Sequence, residues 1–493
     1  MITKRISRFV DSRLHAAKFV RHALNHVFPD HWSFMLGEIA LYAFMILVIT
    51  GVYLALFFHA SSTPLVYHGS YAPLAGQKVS AAYNSAVHLS LDVPAGLLVR
   101  QMHHWAALIF LCAILAHLAR IFLTGAYRKP REMNWLIGLT LLLLALVNGF
   151  LGYSILDDLL SGTGLRIGYG ILLSVPVAGP WLAFLLMGGT IPNPEAIPRM
   201  YALHIFLVPG LIAALLVLHL GMIWRQLHTN YPGPKRTDRT IVGSRLWPSY
   251  TAKSVGLLLL VFAAIAALGG FAQIDPVWIY GPYQPSATMA GAQPDWYLGW
   301  IEGAMRLSPG INMHIGRWLV PELFFPAVLM PSLVFGALYL YPFIEQFFSP
   351  DDGDHNVLLL PYEHPFNTAL AAGVFVFMLV LLVGGGDDIL AVALGKSVVE
   401  IRTILRILVL TAPPVAAALT YLICVRLRSR KAAQALIAAS KASVPEQTTI
   451  QSEEVSQPIG SRTQPAMASN VLQLETQEIR SIDLDSSLTR ESK

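Results

Sequence analysis

The sequence has little charge for its length. Only 13% of its 493 residues are Asp, Glu, Lys or Arg, which is about half the share found in soluble globular domains. The shortfall is concentrated in long apolar runs, so lipid is the solvent for most of the chain. The formal net charge is only +5, and Lys and Arg lie in short loops between the runs. These features predict a membrane protein and argue against nucleic-acid binding.

Cysteine is also scarce, which restricts the redox centres that the chain can hold. The two cysteines, Cys112 and Cys424, both lie inside apolar runs. No Cys-x-x-Cys-His sequence is present, which argues against covalently attached c-type haem. An iron–sulfur cluster usually takes four cysteine ligands. Any centre of either kind must therefore belong to a partner subunit.

Eight apolar runs are long enough to cross a bilayer, which takes about 20 helical residues. The segment 168–188 is also apolar, but Pro176 and Pro180 interrupt it, so we interpret it as a surface-lying or re-entrant piece. The first run is too long for a signal peptide and no cleavage site follows it, so it is a retained span. The predicted fold class is an all-α polytopic membrane protein with eight transmembrane helices. These spans, A to H, lie near residues 34–58, 95–124, 133–156, 200–226, 254–273, 318–345, 366–386 and 404–427.

The distribution of Lys and Arg predicts the orientation. Basic residues cluster before span A, in the B–C and D–E loops and after span H. Cytoplasmic loops carry an excess of Lys and Arg, so both termini are expected in the cytoplasm. The acidic F–G loop, 349–356, disagrees with this orientation.

Four regions follow from these patterns. Residues 441–493 are rich in Ser, Gln, Thr and Glu without a long apolar run, which is typical of a disordered segment. The predicted regions are a cytoplasmic N-terminal segment (1–30), a four-helix transmembrane bundle (31–230), a C-terminal transmembrane part with a long outer loop (231–430), and a disordered cytoplasmic tail (431–493).

Histidines inside two spans carry the strongest functional signal. His103 and His117 in span B are fourteen residues apart, and His204 and His219 in span D are fifteen apart. At about 100° per residue, these separations miss whole numbers of turns by only about 40° and 60°, so each pair shares one broad helix face. A single buried histidine is more often a hydrogen-bonded core residue, but four at matching levels predict two stacked bis-imidazole haem sites. His104 points about 100° away from His103, and we treat it as a non-ligand.

Glycines and arginines support this interpretation. Each of the two other spans of the bundle has a pair of glycines fourteen residues apart, where a planar ligand could approach the backbone, although close helix packing would need them too. Arg100 and Arg120 each lie three residues from a candidate ligand and could pair with haem propionates, or could simply extend to the membrane interface. The glycines are Gly37 and Gly51 in span A, and Gly138 and Gly152 in span C.

With these motifs in place, the chain resembles a known family, the cytochrome b of quinol–cytochrome c reductase complexes. The match covers nearly all of residues 30–430 and most resembles the actinobacterial branch, which works with menaquinol. The motifs that carry it are Arg100-Gln-Met-His103, His117-Leu-Ala-Arg120, Tyr127 to Glu132, Gly152-Tyr153, Asp157 to Arg166 and Pro294-Asp295-Trp296-Tyr297.

The resemblance implies a role for each histidine pair. His103 and His204 would bind a low-potential haem b near the outer face. His117 and His219 would bind a high-potential haem b near the inner face. The two haems would be the cofactors of the chain, with menaquinol as the substrate.

It also implies two quinone sites. Pro294 to Tyr297 matches the Pro-Glu-Trp-Tyr motif of the outer quinol-oxidation site, with the shorter acid Asp295 as proton acceptor and Tyr297 and Tyr153 beside it. Lys253 matches a lysine of the inner quinone-reduction site. The acid that follows this lysine in mitochondrial members is Ser254 here, so proton delivery needs another route. His228 and Arg225 are further candidates.

The implied function is that of a translocase subunit. Quinol is oxidised outside, one electron leaves to a Rieske iron–sulfur subunit, and the other crosses through the haems to an inner quinone. The expected partners are that Rieske subunit, a cytochrome c subunit, a terminal oxidase in a supercomplex and a second copy of the chain. The expected location is the bacterial cell membrane.

Two alternatives remain open from the residues alone. A haem-b anchor subunit of a dehydrogenase would also hold haem in a helix bundle, but such anchors usually have fewer spans and lack the Pro-Asp-Trp-Tyr segment. A transporter could use the histidines as a proton relay, and it would show no haem absorbance.

Overall fold

The computed structural model describes Arg5, Phe9 and residues 11–13, 16–287, 289, 291–349, 351 and 353–442. Within these residues, eight helices are long and apolar enough to cross a membrane, which confirms the predicted polytopic helical fold. Spans A to H are Trp32–Ala55, Gly96–Leu123, Glu132–Ser154, Ala196–Gln226, Leu246–Phe271, Phe325–Phe348, Pro365–Gly385 and Val398–Ala438.

Short elements fill the loops between the spans. The segment with Pro176 is two helices, Leu159–Ser174 and Gly179–Met187, so the chain is broken at Pro176 as predicted, whereas Pro180 lies in the first turn of the second helix. The other short helices are Ala16–Leu24, Ala81–Leu91, Val277–Tyr280, Trp296–Leu307 and Asp387–Leu394, with 3-10 turns at Trp32–Phe34, Ala72–Leu74 and Pro361–Glu363. Strand β1 (Val27–Phe28) pairs with β4 (Ser244–Arg245), and β2 (Pro64–Val66) pairs with β3 (Lys78–Ser80), both antiparallel.

The predicted start of span F at residue 318 is wrong. Strands β5 (Met313–Ile315) and β6 (Trp318–Val320) form an antiparallel hairpin there, and Gly316 has the positive φ of +61° that the tight turn needs. The helix begins only at Phe325. An apolar strand and the first turn of an apolar span look alike in sequence, which explains the error.

The chain divides into two compact units, Met1–Ala433 and Gln434–Lys493. The helix that contains span H runs over Val398–Ala442, so it continues past the predicted region boundary at 431. The Ser- and Gln-rich tail, 443–493, lies outside the described residues.

The spans pack in two connected groups. Spans A, B and E pack on one another, span C packs on spans D and F, and spans B and C join the groups. Between residues 16 and 349, three spans contain π-helical turns, at Leu203–Leu207, Leu246–Tyr250 and Phe325–Leu329. A proline lies in or just after each of them, where its missing N–H and its ring disturb regular helix.

The loops gather at the two ends of the bundle, which we call the A–B end and the B–C end after the first loop that lies at each. At the A–B end, the Tyr83 hydroxyl of the A–B loop donates to the Val277 carbonyl of the E–F loop at 3.1 Å, and the Leu159 amide of the C–D loop donates to Gly281 at 3.0 Å. At the B–C end, Arg131 donates to Asn356 of the F–G loop at 2.6 Å. The A–B, C–D and E–F loops therefore lie at one end, and the B–C and F–G loops lie at the other. This is expected if each span crosses the membrane once.

Candidate functional site

The two histidines nearer the A–B end face each other across the bundle. The ring centroids of His103 and His204 are 6.3 Å apart, with ring planes at 77°. His103 Nδ1 lies 2.9 Å from Thr50 Oγ1, and His204 Nδ1 lies 3.0 Å from the Asn148 carbonyl oxygen. With each Nδ1 engaged, the Nε2 atoms are left to bind a metal. A metal with two bonds of about 2 Å to imidazole nitrogens fits this separation of the rings.

The second pair lies nearer the B–C end on the same two spans. His117 and His219 are near enough to each other to interact electrostatically. His117 Nδ1 is buried and has no hydrogen-bond partner among the residues that the structure describes. A buried imidazole nitrogen without a partner is costly, which makes this pair a candidate binding site as well.

Each predicted glycine lies against one predicted ligand. A Cβ atom at Gly152 would lie only 2.5 Å from Cε1 of the facing imidazole, and one at Gly138 would lie 3.6 Å away. The facing pairs are Gly37 with His117, Gly51 with His103, Gly138 with His219, and Gly152 with His204. Spans A and C therefore bring bare backbone against the ligands of spans B and D.

The π turn in span D explains its longer histidine spacing. His204 lies within the turn Leu203–Leu207, which precedes the regular helix Val208–Gln226. A π turn takes up one residue more than an α turn. The fifteen residues from His204 to His219 therefore cover nearly the same helical rotation as the fourteen in span B. Such turns are frequent at functional sites.

The two predicted arginines are buried but incompletely paired. Arg100 donates one bond to the Asp275 carbonyl at 3.0 Å, while its Nε has no hydrogen-bond partner in the described part of the chain. Arg120 lies over the Phe34 ring, 4.2 Å from its centroid, and its Nε and one terminal nitrogen are likewise unpartnered there. Both guanidinium groups could therefore accept an anionic partner.

A cluster of polar side chains lies at the A–B end beside His103. His104 Nε2 donates to Asp295 Oδ1 at 2.9 Å, and the Tyr297 hydroxyl donates to Asp295 Oδ2 at 3.2 Å. His104 Nδ1 is 3.5 Å from a carboxylate oxygen of Asp275. His104 was predicted to be a non-ligand, and its only sequence signal is its place next to His103 on a different helix face. The structure brings it to the predicted proton acceptor.

Burial affects the acids and the phenol of this cluster. It raises the pKa of the Asp275 carboxyl and raises the pKa of the Tyr297 hydroxyl well above its usual range. Tyr153 is near enough to Tyr297 to interact with it electrostatically. In the adjacent C–D loop, burial raises the pKa of Asp158 to about 7. Acids whose pKa values approach neutrality are suited to proton transfer.

The helix that carries Tyr297 is held firmly in place. Trp296–Leu307 packs on span G so closely that a Cβ atom at Gly303 would lie 1.7 Å from the Leu381 carbonyl oxygen. At its end, Arg306 donates to the fully buried Asp387 at 2.7 Å. The predicted acid therefore stands at the start of a fixed helix.

The predicted inner-site residues lie at the B–C end. Lys253 forms an ion pair with Asp30 at 2.7 Å, and both are about half exposed. Ser254 donates to Glu38 of span A at 2.7 Å, a residue that the sequence analysis did not single out. His228 lies in a group of aromatic rings with His26 and Phe28, and burial lowers its pKa to about 4. Arg225 is exposed.

Comparison with known proteins places the chain in a family. Residues 108–282 match the family model described as cytochrome b (N-terminal)/b6/petB. A cytochrome bc1 complex cytochrome b subunit of Streptomyces coelicolor is 45% identical over 428 residues, which is 87% of this chain and 78% of the relative. One of Mycobacterium bovis is 47% identical over 420 residues, 85% of this chain and 76% of the relative.

The chain belongs to the cytochrome b family. A cytochrome b is the haem b subunit of a respiratory quinol–cytochrome c reductase, and the predicted family, function and enzyme class are confirmed. A solved hyperthermophilic respiratory Complex III chain has the same fold, with a TM-score of 0.63 at 19% identity, covering 84% of this chain and 99% of that one.

Haem b fits the residues present in this cytochrome b. The rings of His103 and His204 are spaced for a shared metal, glycine backbone lines the space beside all four imidazoles, and buried nitrogens of His117, Arg100 and Arg120 lack partners in the described residues. A flat macrocycle with an iron centre and anionic side groups would use each of these features.

Proposed function

We propose that the four histidines bind two b haems. His103 and His204 would hold the low-potential haem nearer the A–B end, and His117 and His219 the high-potential haem nearer the B–C end. The observation that carries this proposal is the pairing of a glycine with each imidazole at two levels of the bundle. A proton relay of histidines would not need bare backbone beside every ring. When bound, the haems supply one-electron transfer between the two ends.

Quinol oxidation would take place at the A–B end. Asp295 would accept a proton from quinol, because its carboxylate is oriented by Tyr297 and by His104. His104 also contacts Asp275. A proton accepted at Asp295 could therefore pass through His104 to a second carboxylate. Tyr153 would close the pocket next to Tyr297.

Quinone reduction would take place at the B–C end, with Lys253 beside it. The proximity of this end to His117 and His219 supports the assignment. Menaquinol is the proposed substrate, as the resemblance to the actinobacterial branch implies. We place the chain in the bacterial cell membrane with both termini in the cytoplasm, so that the A–B end faces outside.

The full reaction would need partners. The described residues offer no cysteine set for an iron–sulfur cluster, since the sequence has only two cysteines. We propose a Rieske iron–sulfur subunit and a cytochrome c subunit as electron acceptors at the A–B end, a second copy of the chain in a homodimer, and a terminal oxidase in a supercomplex.

The test uses variants of the purified complex. His117→Ala should lose one of two b-haem absorbance bands, while His88→Ala, an exposed loop histidine, should keep both. Asp295→Asn should keep both haems and slow quinol oxidation by about 100-fold or more, the usual contribution of a general base. Two intact haems in His117→Ala would refute the ligand assignment, and normal turnover in Asp295→Asn would remove Asp295 from the proton path.

A further inference from the structure

A carboxylate at the B–C end is surrounded by hydroxyl groups from two spans. Glu38 of span A accepts hydrogen bonds from Ser254 Oγ at 2.7 Å and from the Tyr42 hydroxyl at 3.0 Å. The Tyr250 hydroxyl also donates to it. Ser254 and Tyr250 belong to span E, so the cluster joins two spans that are more than 200 residues apart in sequence.

Glu38 is unusual because, among the residues that the structure describes, it takes part in no ion pair. The nearby Lys253 is paired with Asp30 instead. An acid inside a membrane span is costly, and it is therefore functional by default. Three hydroxyl groups donate hydrogen bonds to it, and hydroxyl groups can pass protons to and from a carboxylate.

The position of Glu38 connects it to the proposed inner redox centre. It follows Gly37, whose backbone lies against the His117 ring. On the other side, Tyr250 stacks on Phe28 with ring centroids 4.3 Å apart, and Phe28 contacts His228. Glu38 is thus one residue from the backbone that faces the predicted haem ligand, and its partner Tyr250 belongs to a group of aromatic rings suited to a planar ring.

Water reaches the neighbouring residues. Lys253 and Asp30 have side chains 48% and 41% exposed, and Lys253 directly precedes Ser254 in the chain. Asp30 is close enough to Tyr250 to interact with it electrostatically. A route from solvent through Asp30 and Lys253 to the hydroxyl cluster is therefore short.

We propose that Glu38 is the carboxyl group that delivers protons to quinone at the inner site. It takes the place of the acid expected where Ser254 stands, on the facing span. Each quinone reduced to quinol takes two electrons, one from each of two quinols oxidised at the A–B end, and two protons from the solvent at the B–C end. Glu38 would take up each proton through the hydroxyl cluster and pass it to a quinone oxygen. This rests on the proposed function of the B–C end.

The experiment compares three variants of Glu38 in the assembled complex. The b haems are first reduced, then mixed with 2,3-dimethyl-1,4-naphthoquinone, and their reoxidation is followed by absorbance. Glu38→Gln keeps an oxygen for the three hydroxyl groups but cannot carry a proton. We expect reoxidation about 100-fold slower with unchanged haem bands, and Glu38→Asp within tenfold of wild type. The control, Asp354→Asn, changes an exposed acid of the F–G loop and should behave as wild type.

A purely structural role predicts the opposite pattern. Reoxidation of Glu38→Gln near the wild-type rate, or of Glu38→Asp as slow as Glu38→Gln, would overturn the proposal. Should Glu38→Gln not assemble, the double variant Glu38→Ser with Ser254→Asp moves the carboxyl group back to span E. Fast reoxidation of that variant supports the proposal, and slow reoxidation refutes it.

An infrared measurement gives a second readout that does not depend on the rate of haem reoxidation. The difference spectrum between oxidised and reduced complex with bound naphthoquinone should contain a carboxyl band that Glu38→Gln lacks. A wild-type spectrum without any carboxyl change would refute the proposal. Failure of the proposed function would look different, because wild-type protein would then show no b-haem absorbance or no reduction of its haems by quinol.

Discussion

The four glycines of spans A and C differ in how much room they leave beside the imidazoles. A Cβ atom at Gly152 would lie 2.5 Å from His204 Cε1, nearer than real carbon atoms approach, whereas one at Gly138 would lie 3.6 Å from His219 Cε1, an ordinary contact. Both residues lie in the same helix, Glu132–Ser154. The same substitution at the two positions therefore separates steric displacement of the ring from any general effect on span C.

We predict that Gly152→Ala disturbs the haem near the A–B end and that Gly138→Ala is much milder. The His204 ring must move in the first variant, and loss of a ligand's supporting contacts typically weakens metal binding by about 10-fold or more. Haem content and the absorbance of each b haem in the purified protein would measure this. Equal haem retention in both variants would contradict the close packing at Gly152.

Residue periodicity predicted the candidate ligands but not their neighbours. His103, His117, His204 and His219 were found because a helix repeats its faces at a known spacing. The contacts of His104 with Asp295 and of Ser254 with Glu38 join residues 191 and 216 positions apart. No local pattern encodes such contacts, since they depend on which helices pack together.

At the scale of one element, span D shows how a helix accommodates an extra residue. The π turn Leu203–Leu207 is followed by Pro209, whose ring cannot fit a regular turn without displacing the carbonyl four residues before it. The turn absorbs the residue that makes the span D spacing longer than that of span B. The register of His204 with His219 therefore depends on where the extra residue lies.

Two single-residue deletions test this register. Removing Phe206 should convert the π turn to regular helix and leave both ligands facing inward. Removing Val217 also shortens the interval from His204 to His219 by one residue, but this residue lies in regular helix and its loss should rotate His219 by about 100° relative to His204. Both side chains are 73% exposed, so packing losses are matched. We expect two b-haem bands for the first deletion and one for the second, and identical spectra would refute a role for the π turn.

Hydropathy predicted the existence of the spans better than their ends. The spans are confirmed because a bilayer imposes a minimum apolar length. The start of span F was wrong because the apolar strand β6, Trp318–Val320, precedes it. The π turns were not predicted either, since single prolines give no sign of which turn will widen.

At the scale of the whole molecule, the structure explains the acidic F–G loop. Arg131 of the B–C loop donates to the His355 carbonyl and to Asn356, and the Lys129 carbonyl accepts from the His355 amide. Burial lowers the pKa of Arg131 to about 10, so it remains charged at pH 7. The acidic loop therefore lies against basic loops at the B–C end, and its charge balances theirs.

This arrangement makes the orientation of the molecule testable with two added cysteines. Ala75→Cys lies in the A–B loop and Asp354→Cys in the F–G loop, and both positions are exposed. If the basic loops face the cytoplasm, a membrane-impermeant maleimide added to intact cells should label only the first variant, and both after the cells are opened. Wild-type protein, with only Cys112 and Cys424, gives the background. Labelling of Asp354→Cys in intact cells would invert the topology, and with it the sides from which protons are taken up and released.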